Sequence, residues 1–348
     1  MKAGLAWLTM SPQSTTPDLG FLHIVPFSGD RPADGLRDAV DLFRHAEELG
    51  LDSGWVRTRH LQYGAPAPAV MLTALAAATT RMELGNAVIP LEFENPFHFA
   101  EEMGVADLLS GGRLRPGVSV HPPRFEGETA DLVFGEGHEQ QDYSYQRILT
   151  TLDLLRGRKV REVGEYGGFG GDLDSETVQP LSPGLADRFS YGAGSLRSAT
   201  WAGANGLGLL TSNISSTENG VRDFDQAVAN QIAAYRQARA ASDHSGPGRA
   251  AMARVVIPTD GASTEQLSRW QEYVERRTPR TKKIMGEKTI IGPDLIGTSE
   301  QIAETLLTNP GFALADEVIF ELPFELPPED WRQLLDVLAG SVRPLLTR

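Results

Sequence analysis

Short apolar runs alternate with segments of helical periodicity along nearly the whole chain. Between residues 36 and 49, six apolar side chains recur at intervals of one, three and four and end just before Gly50: Leu36, Ala39, Val40, Phe43, Ala46 and Leu49. This spacing places them on one face of a helix, and a glycine just past the last turn is typical of a helix C-terminus. We therefore predict a helix that packs this face on a core.

Eight apolar runs predict strands, and a helical pattern follows most of them. They are residues 3–9, 53–57, 82–89, a run that begins near Arg113, 188–192, 206–211, 252–257 and 318–320. Strands that alternate with helices form parallel sheets with crossover helices. Eight such units favour a closed barrel over an open doubly wound sheet. The prediction is an α/β fold, a (β/α)8 TIM-type barrel formed by residues 1–348 as one domain, with insertions after strands 4 and 7.

Several connecting segments carry no clear strand or helix pattern. We expect Ser11–Phe27 to be a loop after the first strand. Residues 119–140, with their prolines, glycines and charges, predict a long irregular excursion after strand 4. Residues 161–187 are glycine-rich and compatible with a small hairpin, and the stretch between strands 7 and 8 is polar.

Composition and charge exclude several classes of protein. The 348 residues are 41% hydrophobic and carry a net charge of −14. A surface this acidic repels phosphate backbones and anionic lipid, so we expect neither nucleic acid nor membrane as a partner. The absence of cysteine excludes disulfides, thiolate nucleophiles and iron–sulfur clusters. Because no apolar run could span a bilayer, and residues 3–10 read as a strand rather than a signal peptide, we expect a cytoplasmic protein.

The segment from Tyr191 to Ser198 is a candidate anion site. Its residues, Tyr-Gly-Ala-Gly-Ser-Leu-Arg-Ser, link a predicted strand to a predicted helix. Free backbone N–H groups in the first turn of a helix attract anions, and Ser195, Ser198 and Arg197 add two hydroxyls and a cation. The pattern lacks the third glycine of a dinucleotide-binding turn and the Gly-Lys-Ser/Thr of a P-loop. The alternative is that Ser195 only caps the helix.

A second candidate is the segment Trp55–His60, at the end of the second predicted strand. In α/β barrels the catalytic residues lie at the carboxyl ends of the strands. His60 lies beside Arg57 and Arg59, and such cations disfavour its protonated form. The alternative is a surface histidine on a polar loop. The other six histidines show no metal-ligand spacing, so we expect no metal site.

The third candidate is Leu84–Pro90, which ends the third predicted strand with small residues. Gly85 and Ala87 leave room for a flat aromatic ring to lie against the strand ends. The alternative is an ordinary core strand.

At these segments the sequence resembles the bacterial-luciferase-like family of flavin-dependent monooxygenases and oxidoreductases. Seven motifs follow one another in the expected order: Ala46–Asp52 leading into Trp55–His60, Ala77–Arg81, Leu84–Pro90, Asn95-Pro96, Leu108–Arg113, Gly192–Gly203 and Ile296–Ile302. Each motif is weak alone, whereas seven in order are specific. The resemblance implies a (β/α)8 barrel that holds FMN, or in some branches a deazaflavin, at the carboxyl ends of its strands.

The resemblance carries nine cofactor-binding residues onto this chain: Asn86, Ala87, Val88, Ser119, Gly192, Gly194, Ser195, Arg197 and Ser198. The phosphate loop falls on Gly194, Ser195 and Ser198, with Arg197 as an added cation, and Gly192 lies just before it. The first three form the turn that lines the isoalloxazine ring, and Ser119 matches another flavin-lining position. Some relatives have a cis peptide in this turn, and the matching bond here is Ala87–Val88.

The catalytic motif of the family departs from its pattern in this chain. The luciferase sequence Glu-His-His falls on Thr58-Arg59-His60, so Arg59 replaces the histidine that is catalytic in luciferase. This difference argues against aldehyde-dependent light emission and leaves flavin binding unaffected. We expect Arg59 and His60 to be the catalytic residues, as hydrogen-bond donors to the oxygenated flavin or the substrate.

The implied reaction is oxygenation of a small organic substrate by reduced FMN and oxygen, with a separate flavin reductase as partner. Two alternatives stay open: hydride transfer by a deazaflavin-dependent oxidoreductase, and flavin binding without catalysis. Family members commonly pair through helices near the second and third βα units. The small apolar segment Ala69–Ala78 therefore predicts a homodimer, unless this helix packs only on its own barrel.

A basic segment lies between the seventh and eighth predicted strands. Six cations and one acid, Glu287, lie between Arg276 and Lys288, and Pro279 and Gly286 predict a mobile loop rather than a helix. The hypothesis is a lid that closes over the phosphate end of the cofactor. The alternative is a solvated basic loop.

Overall fold

A computed structural model describes residues 16–162, 175–246, 248–281, 283–286 and 288–347. Eight parallel strands form a closed barrel in this order: β1 (Asp18–His23), β2 (Ser53–Val56), β3 (Glu83–Pro90), β4 (Leu114–Ser119), β5 (Ser190–Gly192), β6 (Gly208–Thr211), β8 (Ala250–Pro258) and β11 (Glu317–Glu321). Closure comes from the parallel pairing of β11 with β1. The predicted (β/α)8 barrel is confirmed. Three short strands lie outside the ring: β7 (Ile214–Ser216) pairs antiparallel with β9 (Thr289–Ile291), and β10 (Leu295–Gly297) pairs with the end of β8.

Eleven helices are found in the described ranges: α1 (Pro32–Glu48), α2 (Pro68–Ala78), α3 (Pro96–Ser110), α4 (Gly127–Phe134), α5 (Tyr145–Leu155), α6 (Leu196–Ala204), α7 (Phe224–Ala240), α8 (Thr264–Thr281), α9 (Ser299–Leu307), α10 (Pro328–Val337) and α11 (Arg343–Leu346). Their ends follow the sequence signals. The Asn95 side chain accepts the backbone N–H groups of Phe97 and His98, and Gly111 ends α3 with a φ of 74°. None of the described helices combines the length and apolar character that a membrane span requires.

The inside of the barrel is filled in layers. An apolar layer contains Leu22, Trp55, Leu210, Ala251, Ala253 and Ile319. Below it, the buried carboxylate of Glu317 accepts hydrogen bonds from the hydroxyl of Ser53, from Nε1 of Trp55 at 2.9 Å and from Nη2 of Arg249 at 3.0 Å. Because this carboxylate is fully partnered, the amino-terminal end of the barrel serves stability, and the carboxyl end is left for function.

The first strand lies later in the chain than predicted. The predicted strand at residues 3–9 falls outside the described residues, and the first barrel strand is β1, within the Ser11–Phe27 segment that was expected to be a loop. Pro17 and Gly20 suggest a loop in the sequence. In the fold, Gly20 lies so close to Ser53 that a Cβ atom would be 2.0 Å from its Oγ. Gly20 therefore allows β1 and β2 to approach each other closely, and it does not form a turn.

The basic segment is wrongly predicted as a loop over its first half. Arg276, Arg277 and Arg280 belong to α8, which contains Pro279 near its end, where a missing N–H disrupts little of the helix. Trp270 and Tyr273 are buried on the inner face of α8. Two arginines are held by carboxylates: Arg276 by Glu325 at 2.5 Å, and Arg277 by Asp294 at 2.6 Å. Lys282 and Glu287 lie outside the described residues.

The two insertions also contain more regular structure than the sequence indicated. The excursion after strand 4, expected to be irregular from residue 119 to 140, includes α4. Of the possible hairpin in residues 161–187, residues 163–174 lie outside the described part, and Lys159 pairs with Thr177 across it. After strand 7, the stretch treated as polar contains α8, β9, β10 and α9.

Candidate functional site at the carboxyl ends of the strands

The predicted cofactor residues lie at one end of the barrel, on the neighbouring strands β3, β4 and β5. Pro90 is paired with Ser119 across β3 and β4. Gly192 of β5 lies against the turn of β3, since a Cβ atom there would be 2.7 Å from Cγ1 of Val88. The fold thus brings together segments that are about a hundred residues apart in the sequence.

Around Ala87 and Val88 the chain has the backbone that the resemblance implied, although these residues lie within β3, at a shift in its register with β4, rather than in a turn after it. The Ala87–Val88 peptide bond is cis. Nδ2 of Asn86 is 3.4 Å from Oγ1 of Thr58, whereas its buried Oδ1 has no partner among the described residues. The space beside Gly85 is not open to a ligand, because the indole of Trp55 fills it and a Cβ atom would lie 2.3 Å from that ring. A flat ring does pack there, but it belongs to the protein.

At the candidate anion site, Ser195 caps α6. Its Oγ accepts the N–H of Ser198 at 3.2 Å, and Oγ of Ser198 accepts the N–H of Ser195 at 3.2 Å, which forms a capping box. A further first-turn donor, the N–H of Leu196, is bound by a carboxylate oxygen of Glu218 at 2.6 Å. Arg197 is exposed beside this turn. Ser195 therefore caps α6, and the carboxylate of Glu218, from the same chain, already occupies a donor at the N-terminus of α6.

His60 is half-buried and stacks on Phe93, with ring centroids 4.1 Å apart and 10° between the planes. Its Nε2 is buried and has no partner among the described residues. Burial lowers the pKa of His60, so the ring is neutral near pH 7. The neutral form was expected, but its cause is desolvation rather than the neighbouring arginines.

Arg59, like His60, lies in the loop that follows β2. Its Nη1 donates to the side-chain oxygen of Gln62, and its buried Nε has no partner in the described part of the chain. Burial and the charge of Arg57 lower the pKa of Arg59, and Glu321 opposes this shift.

An aromatic cluster covers His60 from the insertion after strand 4. The ring of Phe93 contacts Phe134 at 5.1 Å and Phe125 at 6.4 Å. Phe125 lies two residues before α4 and Phe134 is the last residue of α4, so this insertion packs against Phe93 and the His60 ring stacked on it. No periodic pattern in the sequence indicated this contact, because it joins loops from different βα units.

An ion pair between Arg57 and Glu321 was missed by the sequence analysis. Nη1 of Arg57 is 3.2 Å from Oε1 of Glu321, and Glu321 is only 6% exposed. Glu321 is the last residue of β11, so a charged residue at the end of the apolar run Val318–Phe320 was the available signal.

Two acids in the turn after β3 were missed as well. Burial, with a smaller contribution from Glu102, raises the pKa of Glu94 to about 7. Burial also raises the pKa of Glu92, which accepts the backbone N–H of His121 at 3.3 Å. Through this hydrogen bond Glu92 links the turn after β3 to the segment that follows β4.

The family model described as luciferase-like monooxygenase matches residues 18–312. The chain belongs to this family, whose members include monooxygenases and F420-dependent oxidoreductases. A relative named F420-dependent glucose-6-phosphate dehydrogenase, from Amycolatopsis mediterranei, is 32% identical over 130 residues, which is 35% of this chain and 37% of the relative. The match thus spans little more than a third of that relative's length.

Solved structures share the fold over nearly the whole chain. The monooxygenase RslO1 from Streptomyces bottropensis has a TM-score of 0.68 at 17% identity, and the comparison covers 94% of this chain and 99% of that one. The oxygenating constituent of 3,6-diketocamphane monooxygenase from Pseudomonas putida, solved with FMN, has a TM-score of 0.66 at 14% identity and covers 95% and 99%. At these identities the likeness establishes the barrel fold.

Proposed function

We propose that this protein is a flavin-dependent monooxygenase that uses reduced FMN and oxygen on a small organic substrate. The observation that carries the proposal is a group of buried polar atoms without partners among the described residues: Nε of Arg59, Nε2 of His60 and Oδ1 of Asn86. Arg59 and His60 lie just past the carboxyl end of β2, and Asn86 lies on the neighbouring strand β3 opposite Val56, the last residue of β2. Buried polar atoms are normally hydrogen-bonded, and the polar edge of an isoalloxazine ring offers both donors and acceptors.

The residues present fit both the ring and the phosphate of FMN. Asn86, Ala87, Val88 and Ser119 would line the ring, and Gly192, Gly194, Ser195, Arg197 and Ser198 would hold the phosphate. The cofactor, when bound, would supply the oxygen and two-electron chemistry. His60, which is neutral, can donate a hydrogen bond from one ring nitrogen and accept at the other, and Arg59 can only donate. Both would orient the reacting oxygen, and the aromatic cluster would exclude water.

A deazaflavin-dependent oxidoreductase is the second candidate. The relative from Amycolatopsis mediterranei favours it, because its name specifies F420. The FMN complex of the diketocamphane enzyme supports the first candidate at lower identity. Some proteins with this barrel bind FMN and others bind F420. Identifying the cofactor that this protein binds therefore distinguishes the two candidate reactions.

The test is to soak the purified protein in FMN and in F420 and to record absorbance after removal of the free cofactor. We expect retained FMN, and oxygen consumption above the buffer rate when a separate flavin reductase supplies reduced FMN. Retention of F420 alone would replace the proposal with the second candidate. Retained FMN without protein-dependent oxygen consumption would indicate flavin binding without catalysis.

We also propose a cytoplasmic homodimer. Ala69, Leu72 and Ala76 of α2 are buried against the chain's own core, while Val70 on the outer side is 70% exposed and Leu109 of the adjoining α3 is 67% exposed. These exposed apolar side chains are typical of a subunit interface. Sedimentation should show a dimer at micromolar concentration and a monomer for Val70→Glu with Leu109→Glu. The matched control is Leu307→Glu on α9, an exposed leucine elsewhere; a monomeric wild type contradicts the proposal.

A further inference from the structure

The mouth of the barrel contains a matched pair of charges on its axis. Arg57 comes two residues after Trp55 on β2, and Glu321 comes two residues after Ile319 on β11. Trp55 and Ile319 belong to the interior apolar layer, and successive side chains of a strand alternate between its faces, so Arg57 and Glu321 face the axis one layer nearer the mouth. Their 3.2 Å contact bridges β2 and β11, the two strands that flank β1.

Arg57 extends toward the part of β3 that is proposed to line the flavin ring, and Glu321 is paired with it. Nε of Arg57 donates to the carbonyl oxygen of Ala87 at 3.3 Å. Oε2 of Glu321 is buried and has no hydrogen-bond partner among the described residues, since Arg57 uses only Oε1. One oxygen of a buried carboxylate is thus left for whatever occupies the mouth.

Other charges nearby are mostly balanced. Arg277 of α8, which lies close enough to Glu321 to interact with it electrostatically, is held by both oxygens of Asp294 at 2.6 and 3.1 Å. Arg59, the remaining cation, is turned toward Gln62. Arg59 also interacts electrostatically with Arg57 and Glu321, so Arg57 and Glu321 are the directly paired charges at the mouth and Arg59 is a further cation beside them.

The charge beneath a flavin ring controls how easily the ring is reduced. Reduction to the anionic hydroquinone takes up two electrons and one proton, so a neutral ring gains one negative charge. A nearby cation stabilises that charge and a nearby anion opposes it, more strongly in a partly buried site than in water.

We infer that the Arg57–Glu321 pair sets the reduction potential of the bound flavin, with Arg57 raising it and Glu321 lowering it. Both residues act through their charges on the flavin ring, and neither needs to contact the substrate. The inference rests on the proposed FMN site. It predicts that the two side chains have opposite effects, and that these effects cancel when both charges are removed.

The experiment measures the midpoint potential of FMN bound to the full chain, by slow enzymatic reduction with a reference dye. Glu321→Gln keeps an oxygen acceptor and removes only the charge, and it should favour reduced FMN about tenfold, a rise of about 30 mV for a two-electron couple. Arg57→Gln should lower the potential by a similar amount. The double variant should return close to wild type, and the dissociation constant of oxidised FMN should change by less than threefold in each.

Charge-keeping variants control for damage to the fold. Arg57→Lys and Glu321→Asp should retain the wild-type potential, and Glu304→Gln, an exposed acid on α9, controls for net charge. Unchanged potentials in Glu321→Gln and Arg57→Gln with FMN bound would overturn the inference, and so would shifts in the same direction. A wild-type protein that binds no FMN contradicts the proposed cofactor, and this inference with it, whereas bound FMN with unmoved potentials contradicts the inference alone.

Discussion

A carboxylate oxygen of Glu218 accepts the backbone N–H of Leu196 at 2.6 Å, so an acidic side chain lies on the first turn of α6. This is the place where a cofactor phosphate is expected. Glu218 comes from the loop between β7 and α7, and its charge would repel a phosphate at the same donors.

Glu218→Gln should therefore tighten FMN binding by about three- to tenfold, equivalent to roughly 1 kcal/mol. Riboflavin, which lacks the phosphate, should bind with unchanged affinity. Fluorescence titration of both ligands measures the difference, and Glu304→Gln controls for the loss of one negative charge. Weaker FMN binding by the Glu218 variant would contradict this expectation and assign Glu218 to the support of the loop.

Replacing either Ser195 or Arg197 by alanine should weaken FMN binding by about ten- to a hundredfold. The physical reason is the loss of hydrogen bonds to a charged phosphate, worth roughly 1.5–3 kcal/mol each. Part of the effect of Ser195 comes from its cap on α6, so Ser195→Asn, which retains a capping oxygen, isolates that part. Equal weakening of FMN and riboflavin would place the phosphate elsewhere.

His60→Ala should reduce turnover at least tenfold and leave the FMN dissociation constant within a few-fold of wild type. A positioned hydrogen-bonding or proton-transfer group typically contributes this much or more. His60→Phe is the informative companion, because it keeps the stack on Phe93 and removes the nitrogens. If His60→Phe turns over at the wild-type rate, the ring serves packing alone.

Burial of His23 should make the protein less stable in mild acid. Its ring is buried against Trp331 at 4.4 Å, both nitrogens lack partners among the described residues, and burial holds its pKa at about 3. The unfolded chain takes up a proton near pH 6.5 and the folded chain does not, so stability is retained above pH 6.5 and falls as the pH approaches 3. From pH 7 to pH 5 this group should contribute a loss of about 2 kcal/mol.

Urea unfolding of wild type and His23→Phe at both pH values checks this effect. All other titrating groups are common to the two proteins, so the difference between their pH dependences isolates His23. The variant should lose about 2 kcal/mol less than wild type between pH 7 and pH 5. Equal losses would mean that the ring of His23 acquires a partner or is reached by water.

Much of the barrel could be predicted from the sequence because its signals are local. Asn95 and Gly111 delimit α3 by their own hydrogen bonds and backbone angles, and seven of the eight barrel strands coincide with apolar runs. The first strand was misplaced because Pro17 and Gly20 suggest a loop, while the neighbouring strands β2 and β11 stabilise an extended backbone there. Similarly, Pro279 suggests a break, but burial of Trp270 and Tyr273 continues α8.

The sequence by itself determined the fold class and the family, and the family resemblance pointed to a cis bond at Ala87–Val88, near the carboxyl ends of the strands. Only the tertiary structure decided which side chains meet there. Trp55 fills the space beside Gly85, Glu218 lies on α6, and Glu321 pairs with Arg57 across 264 positions of sequence. Caps and strand patterns depend on residues a few positions apart, whereas a charge pair or a filled cavity depends on the closure of the barrel, which no local pattern encodes.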